Sequence, residues 1–411
     1  MAFVTSRRDA SEGRERHEFT LSRRRFLYSV GAAVGTLALG CGRGSTDPFG
    51  QLPMPDQSGI DHIVVLVMEN RSFDHFLGWL PGADGRQAGL QFTDVLGVRH
   101  GTYHLAQFNG CGHPDPDHSY NAERIDFNGG ACDGWLRAGP NDPMAIGYFD
   151  SADLPFSGTA HRDWTTFDRY FSPIMGPSNP NRICLLTGQT DRLDDSHRLS
   201  SLPTIFDRLS AAGLRARYYG GGAAWWGAKY NSIQHPVTQF ASDCATGDLP
   251  EVAFLGSPSG ADDHPPRDVR NGEANLNAVY TAVTTSPAWA RTVLLLTFDE
   301  CGGFFDHVPP PVGPIPPAEV AVGNDGRLGF RVPCLMVSPL ARRGYISHTT
   351  YTHASILRMI CWRWGLEALT VRDAQANNLA QELVFGAPRL TAPVYTVPPG
   401  PFALPTPCSS R

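Results

Sequence analysis

His62-Ile63-Val64-Val65-Leu66-Val67-Met68 runs directly into Glu69-Asn70-Arg71-Ser72, and Thr292-Val293-Leu294-Leu295-Leu296-Thr297-Phe298 runs directly into Asp299-Glu300. Neither apolar run alternates with polar residues, so each reads as a strand buried on both faces. Residues 214–219 and 333–337 read as further strands. Residues 203–212, 275–290 and 352–364 read as helices. Buried strands alternating with helices predict an α/β fold, a three-layer αβα sandwich around a mainly parallel central sheet. Ligands of such sheets bind beyond the carboxyl ends of strands, so the polar residues that follow each apolar run carry the chemistry.

The chain has 411 residues, of which 41% are hydrophobic and 18% charged, enough for a large core and unlike a disordered or collagen-like sequence. Its net charge of −6 argues against non-specific nucleic-acid binding, and no nucleic-acid partner is expected. No run of about 20 apolar residues is present, so no ordinary membrane span is expected. Residues 82–160 are rich in Gly, Asp, Asn and His with weak periodicity, and read as an insertion or lid over a site. Residues 41–57 read as a linker and 391–411 as a Pro-rich tail over the surface.

At the start, Ser22-Arg23-Arg24-Arg25-Phe26-Leu27 precedes a short apolar run, which marks residues 1–40 as an export signal. The twin arginine resembles the Tat signal for export of folded proteins, so the Tat machinery is an expected partner. Ala38-Leu39-Gly40-Cys41 resembles a lipoprotein cleavage box, and membrane attachment through a lipidated Cys41 stands beside ordinary cleavage nearby. Either route gives an exported protein, whether periplasmic, a cell-surface lipoprotein or secreted. Removing residues 1–40 leaves a formal charge of −9. Of the nine cysteines, Cys111 and Cys132 share one loop-rich segment and are the expected disulfide, as export permits. Cys184, Cys334 and Cys361 sit in apolar patterns and are expected to pack as small hydrophobes. No CxxC spacing suggests structural zinc.

Glu69, Asp299 and Glu300, leaving two strands at one rim, would repel one another unless a cation neutralises them. An all-oxygen set suits a hard or borderline divalent ion. The same acids could instead cap helices or pair with arginines at the surface. In Gly176-Pro177-Ser178-Asn179-Pro180-Asn181-Arg182, Asn179 suits a helix cap and Pro180 the first turn, which puts Ser178 at a helix N-terminus that favours anions. A metal could there activate its hydroxyl as a nucleophile toward phosphorus. A simple turn fits the stretch equally well. His118 and His264, with His113, His307 and His353, are the histidines available as proton donors, though each could equally be structural.

Glu69-Asn70-Arg71-Ser72-Phe73-Asp74, Gly176 to Arg182, and Asp299-Glu300-Cys301-Gly302-Gly303-Phe304-Phe305-Asp306-His307-Val308-Pro309-Pro310 occur in this order. Together they resemble the bacterial phosphoesterase family of phosphatidylcholine-type phospholipases C and acid phosphatases, in the alkaline-phosphatase-like superfamily. The segments Phe167-Asp168-Arg169-Tyr170-Phe171, Gly329-Phe330-Arg331-Val332-Pro333 and His353-Ala354-Ser355-Ile356-Leu357 match as well. The resemblance implies a phosphoesterase catalytic domain over residues 58–390. It implies Ser178 as nucleophile, in a place where phospholipase members usually carry Thr. It further implies one divalent metal ion held by Glu69, Ser178, Asp299 and Glu300, Asn70 as donor to a phosphoryl oxygen, and His118 and His264 as phosphate contacts or acid. Cys301 stands where His or Asn is frequent and carries no assigned role. The longer phospholipases have additional C-terminal β-domains, which this chain is expected to lack. The expected function is an exported metal-dependent phosphoesterase acting on a phospholipid or a small phosphate ester, first a phospholipase C, then a broad-specificity acid phosphatase. The reading from another class is a non-catalytic surface protein on the same scaffold.

Overall fold

The structure, a computed structural model, describes residues 52–220 and 224–408. The Arg23-Arg24 pair, Cys41, the export signal and most of the linker lie outside the described residues.

Eight strands form one sheet: β1 (His62–Met68), β2 (Thr165–Phe167), β3 (Ala216–Tyr219), β4 (Gln234–His235), β5 (Val252–Gly256), β6 (Thr292–Phe298), β7 (Cys334–Val337) and β8 (Tyr345–Ser347). Their order is β8-β2-β7-β6-β1-β5-β3-β4. The sheet is mainly parallel, as expected, and β7 alone of these strands runs antiparallel to both neighbours, β6 and β2. Every residue of β6, and every residue of β1 after His62, is buried, which explains their unbroken apolar runs. The sequence reading passes over β5, whose apolar run Val252-Ala253-Phe254-Leu255 is too short to stand out, yet it pairs with β1 at the centre of the sheet.

Helices cover both faces. α1 (Phe73–Leu77) follows β1, α2 (Tyr120–Phe127) lies in the insertion, and α3 (Ser178–Thr187) and α4 (Ile205–Ala211) precede β3. α5 (Val237–Thr246) precedes β5, α6 (Val269–Thr284) joins β5 to β6, and α7 (His353–Trp364) follows β8. α3 packs on α4 and α7, whereas α5 packs on α6, which gives the two outer layers. Two helices depart most from expectation. The helix expected at 275–290 begins at Val269, because the Asp268 side chain caps it by accepting from the Arg270 N–H. It stops at Thr284, ahead of Pro287. In α3 the cap is Pro177, not Asn179, and Ser178 is the first helical residue.

The 82–160 insertion is folded against the body rather than being a free lid. Phe92, Trp135, Leu136 and Ile146 from it pack with Met175, Cys301, Phe305 and Phe330 in a second apolar cluster. Cys132 is buried in this cluster, which corrects the expected Cys111–Cys132 disulfide: the bond is Cys111–Cys408. Nearness in sequence says nothing about which way a thiol points, and Cys132 points inward. Cys184, Cys334 and Cys361 are buried free thiols, as expected. Among the described residues no helix is long and apolar enough to cross a membrane.

Candidate active site

The parallel register pairs Met68 with Phe298, so the next residues, Glu69 and Asp299, leave neighbouring strands side by side. The Asp299 N–H donates to the Met68 carbonyl at 3.1 Å and continues the ladder past the strand end. After β5 the chain turns back over the same rim. There the Glu69 N–H donates to the Asp262 carbonyl at 2.8 Å, which brings His264 to the site. Asn70 adopts a left-handed backbone with φ 59°. A side chain at Gly302 (φ 65°) would lie 2.5 Å from Asn70 Cβ, so only glycine lets the two strand-end loops approach this closely.

α3 brings the third element. Ser178 opens it and is half-buried, and Arg182 follows four residues later on the same helical face. The Arg182 guanidinium spans the two strand ends, with Nη2 2.9 Å from Glu69 Oε1 and Nε 2.8 Å from Asp299 Oδ2. Glu69 and Asp299 thus pair with an arginine, but a buried one rather than one at the surface, and Glu300 takes no part. Asp299 Oδ1 accepts from the N–H groups of Asn70 and Glu300 at 3.3 and 2.8 Å. One donor at the start of α3 is already used, because the Asn179 N–H bonds Asp195 Oδ1 at 2.8 Å. His353, wholly buried, lies 3.1 Å from the Asp299 carbonyl, and burial lowers its pKa to about 4, so it supports the strand end as a neutral ring.

Glu300 is not part of the Arg182 bridge and faces Glu123 of α2. It is wholly buried and groups with Glu123 and Cys301, their ligand atoms lying within 4.8 Å of one another. Its Oε2 accepts the Gly302 N–H, while Oε1 is buried with no partner, as is Oε2 of Glu123. Burial, reinforced by the neighbouring Asp299 charge, raises the Glu300 carboxyl well above the usual range. Burial, with the Glu300 charge next to it, does the same to Glu123. Unpaired buried carboxylate oxygens are costly unless a proton or cation meets them.

The histidines form an adjoining group. Asp115, His118 and His264 bring ligand atoms within 4.8 Å of one another, and the two imidazole centroids are 6.1 Å apart. His118 Nε2 lies 3.3 Å from Asn70 Nδ2, and this contact joins the histidines to the carboxylates. His118 Nδ1 lies 2.7 Å from the Pro116 carbonyl, which leaves Nε2 to face the site. Burial works against a charge on His118, but Asp115 and the Pro116 carbonyl outweigh it and raise its pKa above the ordinary imidazole value. A cleft of about 480 Å³ opens beside this group, lined by His118, Tyr120, Pro177 and Asp195 among others.

Several clusters among the described residues could coordinate a metal: Asp115–His118–His264, Glu123–Glu300–Cys301, Asp74–Asp306–His307 and His104–Asp150–Asp153. None contains Glu69 or Asp299, because Arg182 stands between those two. A divalent cation still fits the strand-end carboxylates, since the buried, partnerless Glu300 Oε1 and the quarter-exposed Glu69 offer oxygen ligands. Glu69 and Asp299, expected at one rim, do leave neighbouring strands side by side. Arg182, Asp115, Glu123 and Asp195 were not expected there, although Arg182 closes the Gly176 to Arg182 stretch and Asp115 stands three residues before His118.

A profile of the Phosphoesterase family matches residues 60–367. Phospholipase C B of Mycobacterium tuberculosis is 29% identical over 90% of this chain and 86% of its own length. A non-specific phospholipase C of Arabidopsis thaliana is 32% identical over 78% of this chain and 71% of its own. Among solved structures, a protein in the alkaline phosphatase superfamily from Vibrio parahaemolyticus superposes with a TM-score of 0.39 at 11% identity, covering 81% of this chain and 74% of that one.

Proposed function

The chain belongs to the Phosphoesterase family and is a phosphoric ester hydrolase, and from that premise we propose that it is an exported phospholipase C using Ser178 as nucleophile. The observation that carries the reading is the meeting of three elements: Ser178 and Arg182 on one face of α3, Glu69 and Asp299 at paired strand ends, and His118 joined to them through Asn70. The phospholipases C among its relatives support the choice of reaction.

Ser178 Oγ attacks phosphorus and the ester oxygen leaves, so that a phosphoserine forms. His118, with Nε2 facing the site and an acidic neighbour raising its pKa, gives a proton to the departing alcohol. His264, held near Asp115 at 3.8 Å, contacts the phosphoryl oxygens, and the Asn70 amide donates to one of them. Water then gives a proton to the neutral His118 and attacks phosphorus, and Ser178 Oγ leaves, which restores the free serine and releases the phosphate product. Glu69, Asp299, Glu300 and Ser178 would hold a divalent metal ion, and that ion would supply a lowered pKa for the serine hydroxyl and positive charge to offset the phosphoryl oxygens. Export accords with the Arg23-Arg24 signal and with a disulfide, which needs an oxidising compartment. Cys41 as a lipid anchor accords with the Ala38 to Cys41 stretch.

Purified protein given phosphatidylcholine vesicles and p-nitrophenyl phosphate, with metal analysis, tests the reading. Diacylglycerol release with at least one bound metal per chain is expected. Inorganic phosphate from the small ester without diacylglycerol would assign the acid phosphatase reaction instead.

A further inference from the structure

The C-terminal segment is fastened to the body at intervals up to Cys408. Trp289 Nε1 donates to the Leu390 carbonyl and the Tyr280 hydroxyl to the Pro393 carbonyl, each at 2.7 Å. Trp164 Nε1 donates at 3.0 Å to the Tyr395 hydroxyl, which itself donates to Asp163 at 2.9 Å. Farther on, Asn271 in the first turn of α6 exchanges two bonds with the Phe402 backbone, at 2.9 and 2.7 Å. The Arg270 guanidinium stacks 4.2 Å from the Phe402 ring. The segment then reaches Cys408, bonded to Cys111 across 297 residues of sequence.

Cys111 belongs to the loop that delivers Asp115 and His118. From Gly110 to Ser119 this loop has no helix or strand of its own, and only Gly110, Pro114 and Pro116 are buried. Its ties run to other loops: the Gly110 N–H donates to the Pro266 carbonyl at 3.3 Å, the Asp117 N–H to Asn141 Oδ1 at 2.7 Å, and His113 Nδ1 lies 2.8 Å from Asp142 Oδ2. A proton donor must be held to within about half an ångström of its productive place, and a loop with so little core beneath it needs another anchor. We propose that the strap over residues 389–408 is that anchor, with Cys111 and Cys408 as positioning residues that hold Asp115 and His118 over the site.

The proposal rests on His118 acting in the reaction, so its test includes a readout independent of turnover. Full-length Cys408→Ser and a Cys111→Ser/Cys408→Ser double variant are compared with wild type for kcat, KM, melting temperature and hydrogen exchange of residues 109–119. Faster exchange of 109–119 is expected in both variants. A fall in kcat of roughly five- to tenfold is also expected, with KM changed by less than about twofold, because a misplaced acid weakens the transition state more than binding. Dithiothreitol should impose the same loss on wild type, reoxidation should reverse it, and the double variant should not respond. Unchanged exchange in 109–119 would overturn the proposal, as would unchanged kcat with only a lower melting temperature. If wild type itself hydrolyses no phosphate ester, the assignment of His118 fails, and the exchange measurement still decides whether the strap holds the loop.

Discussion

Arginine bridges two carboxylates in two places in this molecule, with opposite results. In the first, Arg331 lies between Asp74 and Asp306, all three wholly buried. Every carboxylate oxygen there has a partner. Asp74 accepts from Arg331, the Arg86 N–H and the His307 N–H, and lies against the His307 ring; Asp306 accepts from Arg331 and from the N–H groups of Val308 and Asp74. In the second, Arg182 lies between Glu69 and Asp299, Glu69 is a quarter exposed, and the adjoining Glu300 keeps a partnerless buried oxygen. The saturated cluster ties the Asp306-His307 loop to α1, and each of its carboxylate oxygens already has a hydrogen-bond partner. The unsaturated one adjoins the histidine group, which lines the cleft, and leaves a carboxylate oxygen without a partner. Saturation therefore separates framework from site here, even though both clusters lie in motifs of the same family.

The sharpest way to break this contrast is to remove the hydroxyl beside the unsaturated cluster. Ser178→Ala should cut phosphoester turnover by about 10⁴-fold, or about 5 kcal/mol of transition-state stabilisation. Stability should change by less than about 0.5 kcal/mol, because one oxygen leaves a half-buried helix start. Near-normal turnover in that variant would dismiss the serine as nucleophile.

Arg331→Met should act in the opposite way. It leaves Asp74 and Asp306 buried together without their cation, at a cost of about 3–5 kcal/mol in urea unfolding. A variant as stable as wild type would show that the cluster is not framework.

Glu273 sharpens the comparison with a smaller effect, since it is wholly buried and has no arginine at all. It accepts from the Phe156 and Ser157 N–H groups and the Ser157 hydroxyl, and burial pushes its pKa up to about 7. The folded state then holds a proton that the unfolded chain releases near pH 4.5, so Glu273 contributes stability below that pH and loses it as pH rises through about 7. Against Glu273→Gln, which keeps the shape but does not titrate, wild type should lose up to about 3 kcal/mol of stability between pH 4.5 and 8. Parallel stability curves for the two proteins would refute the shift.

Strand ends and their acids were readable because an unbroken apolar run followed by Glu69 or Asp299 leaves little choice of where the chain leaves the sheet. The parallel register then brings those ends together, since one strand order places β1 beside β6. Arg182 was not readable as their partner, because its reach depends on how α3 lies across the rim, which no local pattern encodes. The antiparallel direction of β7 was hidden for a related reason: a buried strand has the same composition whichever way it runs.

Local physics thus determined the α/β class, the buried strands, the position of Ser178 at a helix start and the acids at the rim, because burial, periodicity and Gly or Pro punctuation act within about a dozen residues. The tertiary structure decided the contacts between distant segments. It turned Cys111 toward Cys408 and Cys132 into the core, put Arg182 between Glu69 and Asp299, and turned Glu300 toward Glu123. Each of these depends on the direction in which a side chain points once two remote pieces of backbone have met, and that direction is set by packing rather than by neighbours in sequence.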